Sequence, residues 1–402
     1  MSQLPMAVAD AIESLCTRYD GGFFVYDLDG FERHVKQLVD SDLTLWYALK
    51  ANPLSSIIKV LAKQGVNFDV ASIGELEQVL AQGVEPERIL HTGPAKSARQ
   101  LEYFLTAGVR TYVIESIQQL TDLNRLAAHV DFTPKALLRV QLRWQEDEGG
   151  YSPLGGCALT PFGLSPTCWL AADVAQFGHV AIDGLHIFQW GNILSAQRLG
   201  QLWQAMVAPL NALAKDLGID YQVLDLGGGL GIAYEHGQVP LNWHDVKAQL
   251  AVVKSQTDAQ QIWMELGRYA IGEFGYYVVP VVERKTNQGQ AQLILAGGVN
   301  HLLRPAIAKQ PFPASLLRPS NQGGKNFAVY GPLCTGLDKL GEFELPQDVA
   351  VGDFLVFAQC GAYGFTESMP FFLCHTLPAE AVVYHGECQV LRDSAPASSW
   401  LR

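Results

Sequence analysis

TLWYALK, residues 44–50, opens a series of eight short apolar runs that decides the fold. The others are NFDVAS (67–72), ILHTG (89–93), TYVIES (111–116), KALLRVQL (135–142), VAIDGLHIF (180–188), YQVLDLGGG (221–229) and QIWMELGR (261–268). Each is rich in β-branched or aromatic residues and reads as a strand. Between them lie segments of helical period. In 73–82, Leu76 and Val79 share a face; in 199–217, Leu202, Met206, Leu210 and Leu213 fall three and four apart. Apolar strands alternating with helices form a parallel sheet, because each crossover lays a helix on the sheet face. Eight such units are the number that closes a (β/α)8 barrel.

Beyond residue 275 the texture changes. YYVVPVVERK, AQLILAGG, NFAVYG, DFLVFAQCGAYG and EAVVYHGECQVLR read as strands separated by Gly, Pro and Asn, with little helix. The expected division is a barrel over 25–274 and an all-β domain made of 1–24 and 275–402. The early run GGFFVYDLDG (21–30) precedes the barrel and suits the β domain. Two stretches read as surface loops, QEDEGGYSPLGG (145–156) and KQPFPASLLRPSNQGGK (309–325). The first follows the fifth barrel run, so it is expected over the mouth, as a lid.

A chain of 402 residues suits two domains, and 49% hydrophobic residues are ample for large cores. The formal charge of −12 opposes binding to nucleic acid or anionic lipid. The seven cysteines are odd in number, scattered and without a CxxC pair, which argues against a disulfide framework or a structural zinc. The N-terminus lacks a basic start followed by an apolar run, and no stretch approaches the roughly 20 apolar residues of a membrane span. A cytoplasmic protein is expected.

Barrel sites lie at the C-terminal strand ends. The residues there are Lys50, Asp69 with Ser72, His91, Glu115, Arg139, His186, glycines 227–229, and Glu265 with Arg268. A lysine ending an apolar strand is partly desolvated, which favours the neutral, nucleophilic amine that condenses with an aldehyde. The same lysine serves equally well to reach water from a strand end. Clustered glycines after Asp225 let several backbone N–H groups approach one phosphate, or simply make a tight turn. A carboxylate such as Glu265 beside a pyridine nitrogen keeps it protonated and makes the ring a better electron sink; a Glu265–Arg268 ion pair is the plainer alternative. Cys334 alone reads as a small buried apolar residue. No metal is assigned to His186 or His375, and no His-x-His or carboxylate cluster is evident.

Seven motifs then stand in order: Tyr47-Ala-Leu-Lys-Ala-Asn-Pro53, Phe68-Asp-Val-Ala-Ser72, Gly227-Gly-Gly-Leu-Gly231, Glu265-Leu-Gly-Arg268, Arg304-Pro305, Gly331-Pro-Leu-Cys334 and Gly361-Ala-Tyr-Gly364. In this order the chain resembles the diaminopimelate and ornithine decarboxylases, the fold-type III pyridoxal-phosphate enzymes, from about residue 23 to 385. The resemblance implies an alanine-racemase-like fold, a (β/α)8 barrel with a C-terminal β domain, working as a homodimer with shared sites. It implies pyridoxal 5′-phosphate held by Lys50 as a Schiff base. Glu265 would meet the ring nitrogen. Gly228, Gly229, Gly267, Arg268 and Tyr363 would cradle the phosphate, with Asp69 and Arg139 beside the ring. Cys334 of the second subunit would protonate the product carbon, and Arg304 would hold substrate carboxylate.

Three departures bear on the substrate. Phe188 stands where the family stacks a histidine on the ring; it stacks but cannot titrate. Thr335 replaces the acidic residue that grips a distal ammonium, and a hydroxyl supplies no such charge-assisted bond. Ala308 replaces a tyrosine. The pattern is similar to the decarboxylases of carboxylate siderophore assembly, of vibrioferrin and staphyloferrin B type, which act on citryl-linked amino acids. Arg304, Arg143 or Lys96 would then meet citryl carboxylates. The alternatives are a diaminopimelate or other basic amino-acid decarboxylase, a racemase, which Glu265 opposes, and an inactive regulatory homologue. A metal-dependent barrel hydrolase finds no support in the spacing.

Overall fold

The computed structural model describes residues 4–39, 42–143, 159–309 and 311–402. The expected lid, 145–156, and most of the tract before Leu159 lie outside them. The chain divides into two compact units, Val35–Ile232 with Val239–Tyr269, and Met1–His34 with Ala233–Gln238 and Ala270–Arg402.

A first strand, β1 (Phe23–Asp27), belongs to the second unit. Eight strands of the first follow: β2 (Thr44–Ala48), β3 (Asn67–Val70), β4 (Ile89–His91), β5 (Thr111–Ile114), β6 (Lys135–Arg139), β7 (Ala181–His186), β8 (Val223–Asp225) and β9 (Gln261–Leu266). All pair in parallel, and β2 pairs β9 to close the barrel. The predicted helices form between them, Ile73–Leu80 and Ala196–Leu217 among others. Their starts are written in the strand-to-helix turns. The hydroxyls of Ser72, Ser116 and Ser195 accept the N–H groups of Glu75, Gln119 and Arg198, which supplies one orphan donor of each first turn. The long helix ends at Gly218, whose φ of 65° needs no Cβ to clash.

Trp46, Leu90, Val113, Leu137, Val223 and Trp263 pack as one buried cluster, with the Trp46 and Trp263 rings 5.0 Å apart. Side chains of a strand alternate between faces, so the residue two further on points the same way. Two beyond Val113, Leu137, Val223 and Trp263 are Glu115, Arg139, Asp225 and Glu265. An apolar floor therefore carries a charged layer toward the C-terminal mouth.

The β unit continues with β10 (Gly275–Asn287), β11 (Gln290–Leu295), β12 (Ala314–Leu316), β13 (Gly324–Tyr330), β14 (Lys339–Pro346), β15 (Phe354–Phe357), β16 (Thr376–Leu377), β17 (Ala379–Tyr384) and β18 (Glu387–Arg392). Its main sheet runs β14-β13-β11-β10-β1-β17-β18, with β15 joining β10 and β12. Strand β1 lies between β10, antiparallel, and β17, parallel. The boundaries expected at 25 and 274 thus fall inside this unit, because β1 and the start of β10 are paired within it. The stretch 309–325, expected as a surface loop, contains β12: its short run Ala314–Leu316 pairs with β15, and Phe312 beside it is buried. Among the described residues no helix is long and apolar enough to cross a membrane.

Candidate active site

Lys50 lies in a single 3-10 turn directly after β2, its side chain half exposed, with Nζ 4.0 Å from Asp69 Oδ2. Asp69, on β3, is buried and accepts a hydrogen bond from Thr92 Oγ1. Burial, and then the charge of Glu265, push its carboxyl up to about 7, while Lys50 pulls the other way. Thr92 rather than His91 is the inward residue at the fourth strand end. Leu90 faces the floor, so by alternation His91 faces out. Its ring stacks on Phe104, centroids 3.7 Å apart, with Nδ1 3.1 Å from Val70 O. His91 is therefore a packing histidine. Burial holds its pKa well below the usual imidazole range.

Arg139 and Glu115 form a buried ion pair at 3.0 Å, and the second Glu115 oxygen accepts the Gly163 N–H. The Arg139 guanidinium lies 4.4 Å over the Phe162 ring. Lys96, in the turn after β4, is buried and donates to Gly93 O. Burial brings its pKa down to about 8, against the attraction of Glu115.

Three buried side chains from adjacent strands converge: His186 on β7, Asp225 on β8 and Glu265 on β9, with ligand-type atoms within 4.8 Å of one another. Sequence spacing shows no carboxylate cluster, yet one forms here, because barrel closure joins residues some 40 positions apart; Asp225, to which the sequence assigns no role, is one of its members. His186 Nε2 is 3.2 Å from Glu265 Oε1, but out of line for a hydrogen bond; Glu265 Oε1, both imidazole nitrogens and Asp225 Oδ2 are without a hydrogen-bond partner among the described residues. Burial works against an ionised Glu265, yet His186, Lys50 and Arg139 together bring its pKa below the usual value. Burial lowers the pKa of His186 as well, against the pull of Glu265 beside it.

The glycine turn follows Asp225. Asp225 Oδ1 accepts the Gly227 N–H at 2.8 Å, and Glu265 N donates to Gly227 O at 2.7 Å. Gly227 and Gly229 have φ of 61° and 100°. A Cβ on Gly228 would stand 2.3 Å from Glu265 O. The N–H groups of buried Gly228, half-buried Gly229 and buried Gly267 have no acceptor among the described residues. Buried donors without acceptors are costly unless something fills the place. A phosphate at the turn, an acceptor-seeking ring N–H at Glu265 and an aldehyde at Lys50 suit these groups, so the residues fit pyridoxal phosphate. Phe188 is half-buried beside Gly227, whose added Cβ would meet its ring at 2.8 Å. Arg268 begins a short helix after β9. Arg143 is exposed at the edge of the described residues.

In the β unit, Cys334 is exposed on the 331–338 loop. Buried Asp338 fixes that loop, accepting the N–H groups of Val299 (2.7 Å) and Leu333 (2.6 Å). Thr335 bonds within the loop, its Oγ1 accepting the Leu337 N–H. Arg304 holds both carboxylate oxygens of Glu367, at 2.8 and 3.0 Å, and lies 4.8 Å over the Tyr363 ring. Glu367 was not anticipated; no local spacing links it to Arg304.

Residues 29–272 match the family model described as the pyridoxal-dependent decarboxylase, pyridoxal binding domain. The L-glutamyl-[BtrI acyl-carrier protein] decarboxylase of Niallia circulans is 25% identical, over 96% of this chain and 94% of its own. The 2-[(L-alanin-3-ylcarbamoyl)methyl]-2-hydroxybutanedioate decarboxylase of Staphylococcus aureus is 26% identical, over 88% and 92%. Among solved structures, diaminopimelate decarboxylase from Helicobacter pylori complexed with L-lysine has a TM-score of 0.86 at 23% identity, covering 96% of this chain and 98% of the other, a likeness of fold. The lysine at a barrel mouth, the open glycine turn and the carboxylate beneath it thus sit in a stretch that one family's model matches over more than half the chain. The chain belongs to the pyridoxal-dependent decarboxylases, lyases that release CO2 from amino acids.

Proposed function

We propose that this decarboxylase acts on an amino acid already joined to citrate, as in carboxylate siderophore assembly. The observation that carries the reading is Thr335 beside Cys334. A neutral hydroxyl stands where a grip on a free distal ammonium would need a carboxylate. Ala308, exposed at the end of the Arg304–Ala308 helix, leaves room that a tyrosine would fill. The two relatives described above are both named for conjugated substrates, one carried by a protein and one a carbamoyl-linked hydroxybutanedioate.

Bound pyridoxal phosphate would supply the electron sink for the pair left on Cα when CO2 departs. Lys50 would hold its aldehyde, and Asp69, beside Lys50, would steady that amine. Glu265 would accept the ring N–H, and Phe188 would pack on the ring face. The free N–H groups of Gly228, Gly229 and Gly267, with Arg268, would hold the phosphate. Arg139 would brace the ring side through Glu115. The substrate's carboxylates call for cations, and Arg304 and Arg143 are the candidates, Arg304 by exchanging Glu367 for the substrate. We propose further that Cys334 comes from a second copy of the chain in a homodimer and gives its proton to Cα.

The test is CO2 release from citryl-linked amino acids, compared with free diaminopimelate, ornithine, lysine and arginine. Turnover of the linked substrates is expected. Turnover of free diaminopimelate alone would overturn the substrate assignment and leave a basic amino-acid decarboxylase.

A further inference from the structure

Around the barrel Glu265 is faced by Lys50 after β2, Asp69 on β3, Lys96 after β4, Arg139 on β6, His186 on β7 and Asp225 on β8, and Glu115 after β5 pairs with Arg139. Of these, His186 and Asp225 share the buried cluster with Glu265 and have no task in the proposed function. Both are almost wholly buried, and each keeps unpartnered polar atoms directed into the cluster. Two carboxylates within 4.8 Å, above a floor of tryptophan and aliphatic side chains, each disfavour the ionised form of the other. Which one holds the charge decides whether the cofactor's ring nitrogen meets an ion or a neutral acid.

We propose that His186 and Asp225 are positioning residues that keep Glu265 as the ionised carboxylate of the floor, with Asp225 holding the proton. The inference rests on the reading that Glu265 meets the ring nitrogen. Three features carry it. His186, Lys50 and Arg139 all favour the ionised form of Glu265, whereas Asp225 has the charges of Glu265 and Asp69 against it and Arg139 for it. Asp225 gives one oxygen to the Gly227 N–H, which a neutral carboxyl still does through its carbonyl oxygen, and its other oxygen is left to carry hydrogen. His186 has an N–H to offer Glu265 Oε1 at 3.2 Å once the ring turns into line. Burial and the charge of Glu265 push Asp225 well above the carboxylate range, in keeping with this division. Asp225 thereby links the ring-nitrogen carboxylate to the phosphate turn: its proton sits beside Glu265, and its acceptor fixes Gly227.

The experiment titrates purified apoprotein with pyridoxal phosphate from pH 5.5 to 9, reading affinity by quenching of protein fluorescence, with near-UV circular dichroism to certify the fold. Glu265→Gln tests the underlying reading and is expected to weaken binding and abolish the acid limb of the profile. Asp225→Ala should weaken binding about tenfold, and Asp225→Asn should restore it to within about threefold with an unmoved acid midpoint. His186→Phe, which removes the N–H, should move that midpoint up by about half a unit or more, and His186→Gln should move it less. If Asp225→Asn binds as poorly as Asp225→Ala, or loses the acid limb as Glu265→Gln does, Asp225 carries the charge and the inference is overturned. An unmoved midpoint in His186→Phe overturns the role of His186. Should Asp225→Ala not fold, Asp225→Asn against wild type decides the same point. Wild-type behaviour of Glu265→Gln instead removes the reading of Glu265, a failure distinct from either.

Discussion

Gly228→Ala is the substitution whose consequence follows most directly from geometry. The added Cβ would stand 2.3 Å from Glu265 O, where ordinary contact begins at 3.4 Å, so the glycine turn and β9 must part by the difference, 1.1 Å. Both neighbours are backbone, and Glu265 N is itself bonded to Gly227 O, so no flexible side-chain end can absorb the shift. Overpacking of this kind costs roughly 1–3 kcal/mol of stability. Moving the Gly228 N–H away from the phosphate removes one hydrogen bond to a charged group, roughly 1.5–3 kcal/mol, or about 10- to 100-fold in cofactor affinity. Urea unfolding of the apoprotein and fluorescence titration with pyridoxal phosphate read the two effects separately. Gly74→Ala is the control: it lies on the exposed Ile73–Leu80 helix with nothing within 4 Å of the added Cβ, and is expected to stabilise by roughly 0.5–1 kcal/mol with cofactor affinity unchanged. A folded Gly228→Ala protein that binds the cofactor within threefold of wild type would refute the reasoning about close approach at this turn.

Asp69, raised in the fold from 3.8 to about 7, binds a proton in that interval that the unfolded chain lacks. Apoprotein stability should therefore fall as pH rises from 4 toward 7, and Asp69→Asn should flatten that fall in urea midpoints measured at pH 5 and 7.5. Lys96 runs the other way. Its pKa is lowered to about 8, so the unfolded chain binds more protons between pH 8 and 10, and stability rises with pH there. Lys96→Met should lose that rise, read by the same unfolding assay at pH 7 and 9.5. Asp338→Ala leaves the Val299 and Leu333 N–H groups without their acceptor, and should cost roughly 2–5 kcal/mol by urea unfolding. Because the loop it anchors carries Cys334, CO2 release should fall while cofactor affinity stays.

The barrel was legible because its evidence is local. Each strand is a short apolar run, each helix a periodic segment, and Ser72 and Ser116 mark the helix starts. The ring of polar strand ends followed from that. Within it, period two was the overlooked signal: counting from Leu90 puts Thr92 inward and His91 against Phe104. The cluster of His186, Asp225 and Glu265 was hidden because barrel closure, not spacing, brings the strands together. Only the floor residues two positions earlier, Gly184, Val223 and Trp263, could have aligned them. Strand β12 was missed for a similar reason. Three of the five residues between Pro313 and Pro319 become a strand through pairing with β15, a contact no local pattern announces. The Arg304–Glu367 pair likewise depends on residues 63 apart meeting in the fold.

The most direct trial is to load the protein with pyridoxal phosphate, reduce it with borohydride, digest it and map the fixed pyridoxyl group by mass spectrometry. The lysine between Leu49 and Ala51 should carry the label, and Lys50→Ala should lose both the label and the visible colour. A label on Lys96, the buried amine with the lowered pKa, or an unlabelled Lys50 in a coloured protein, would contradict the assignment on which the rest depends.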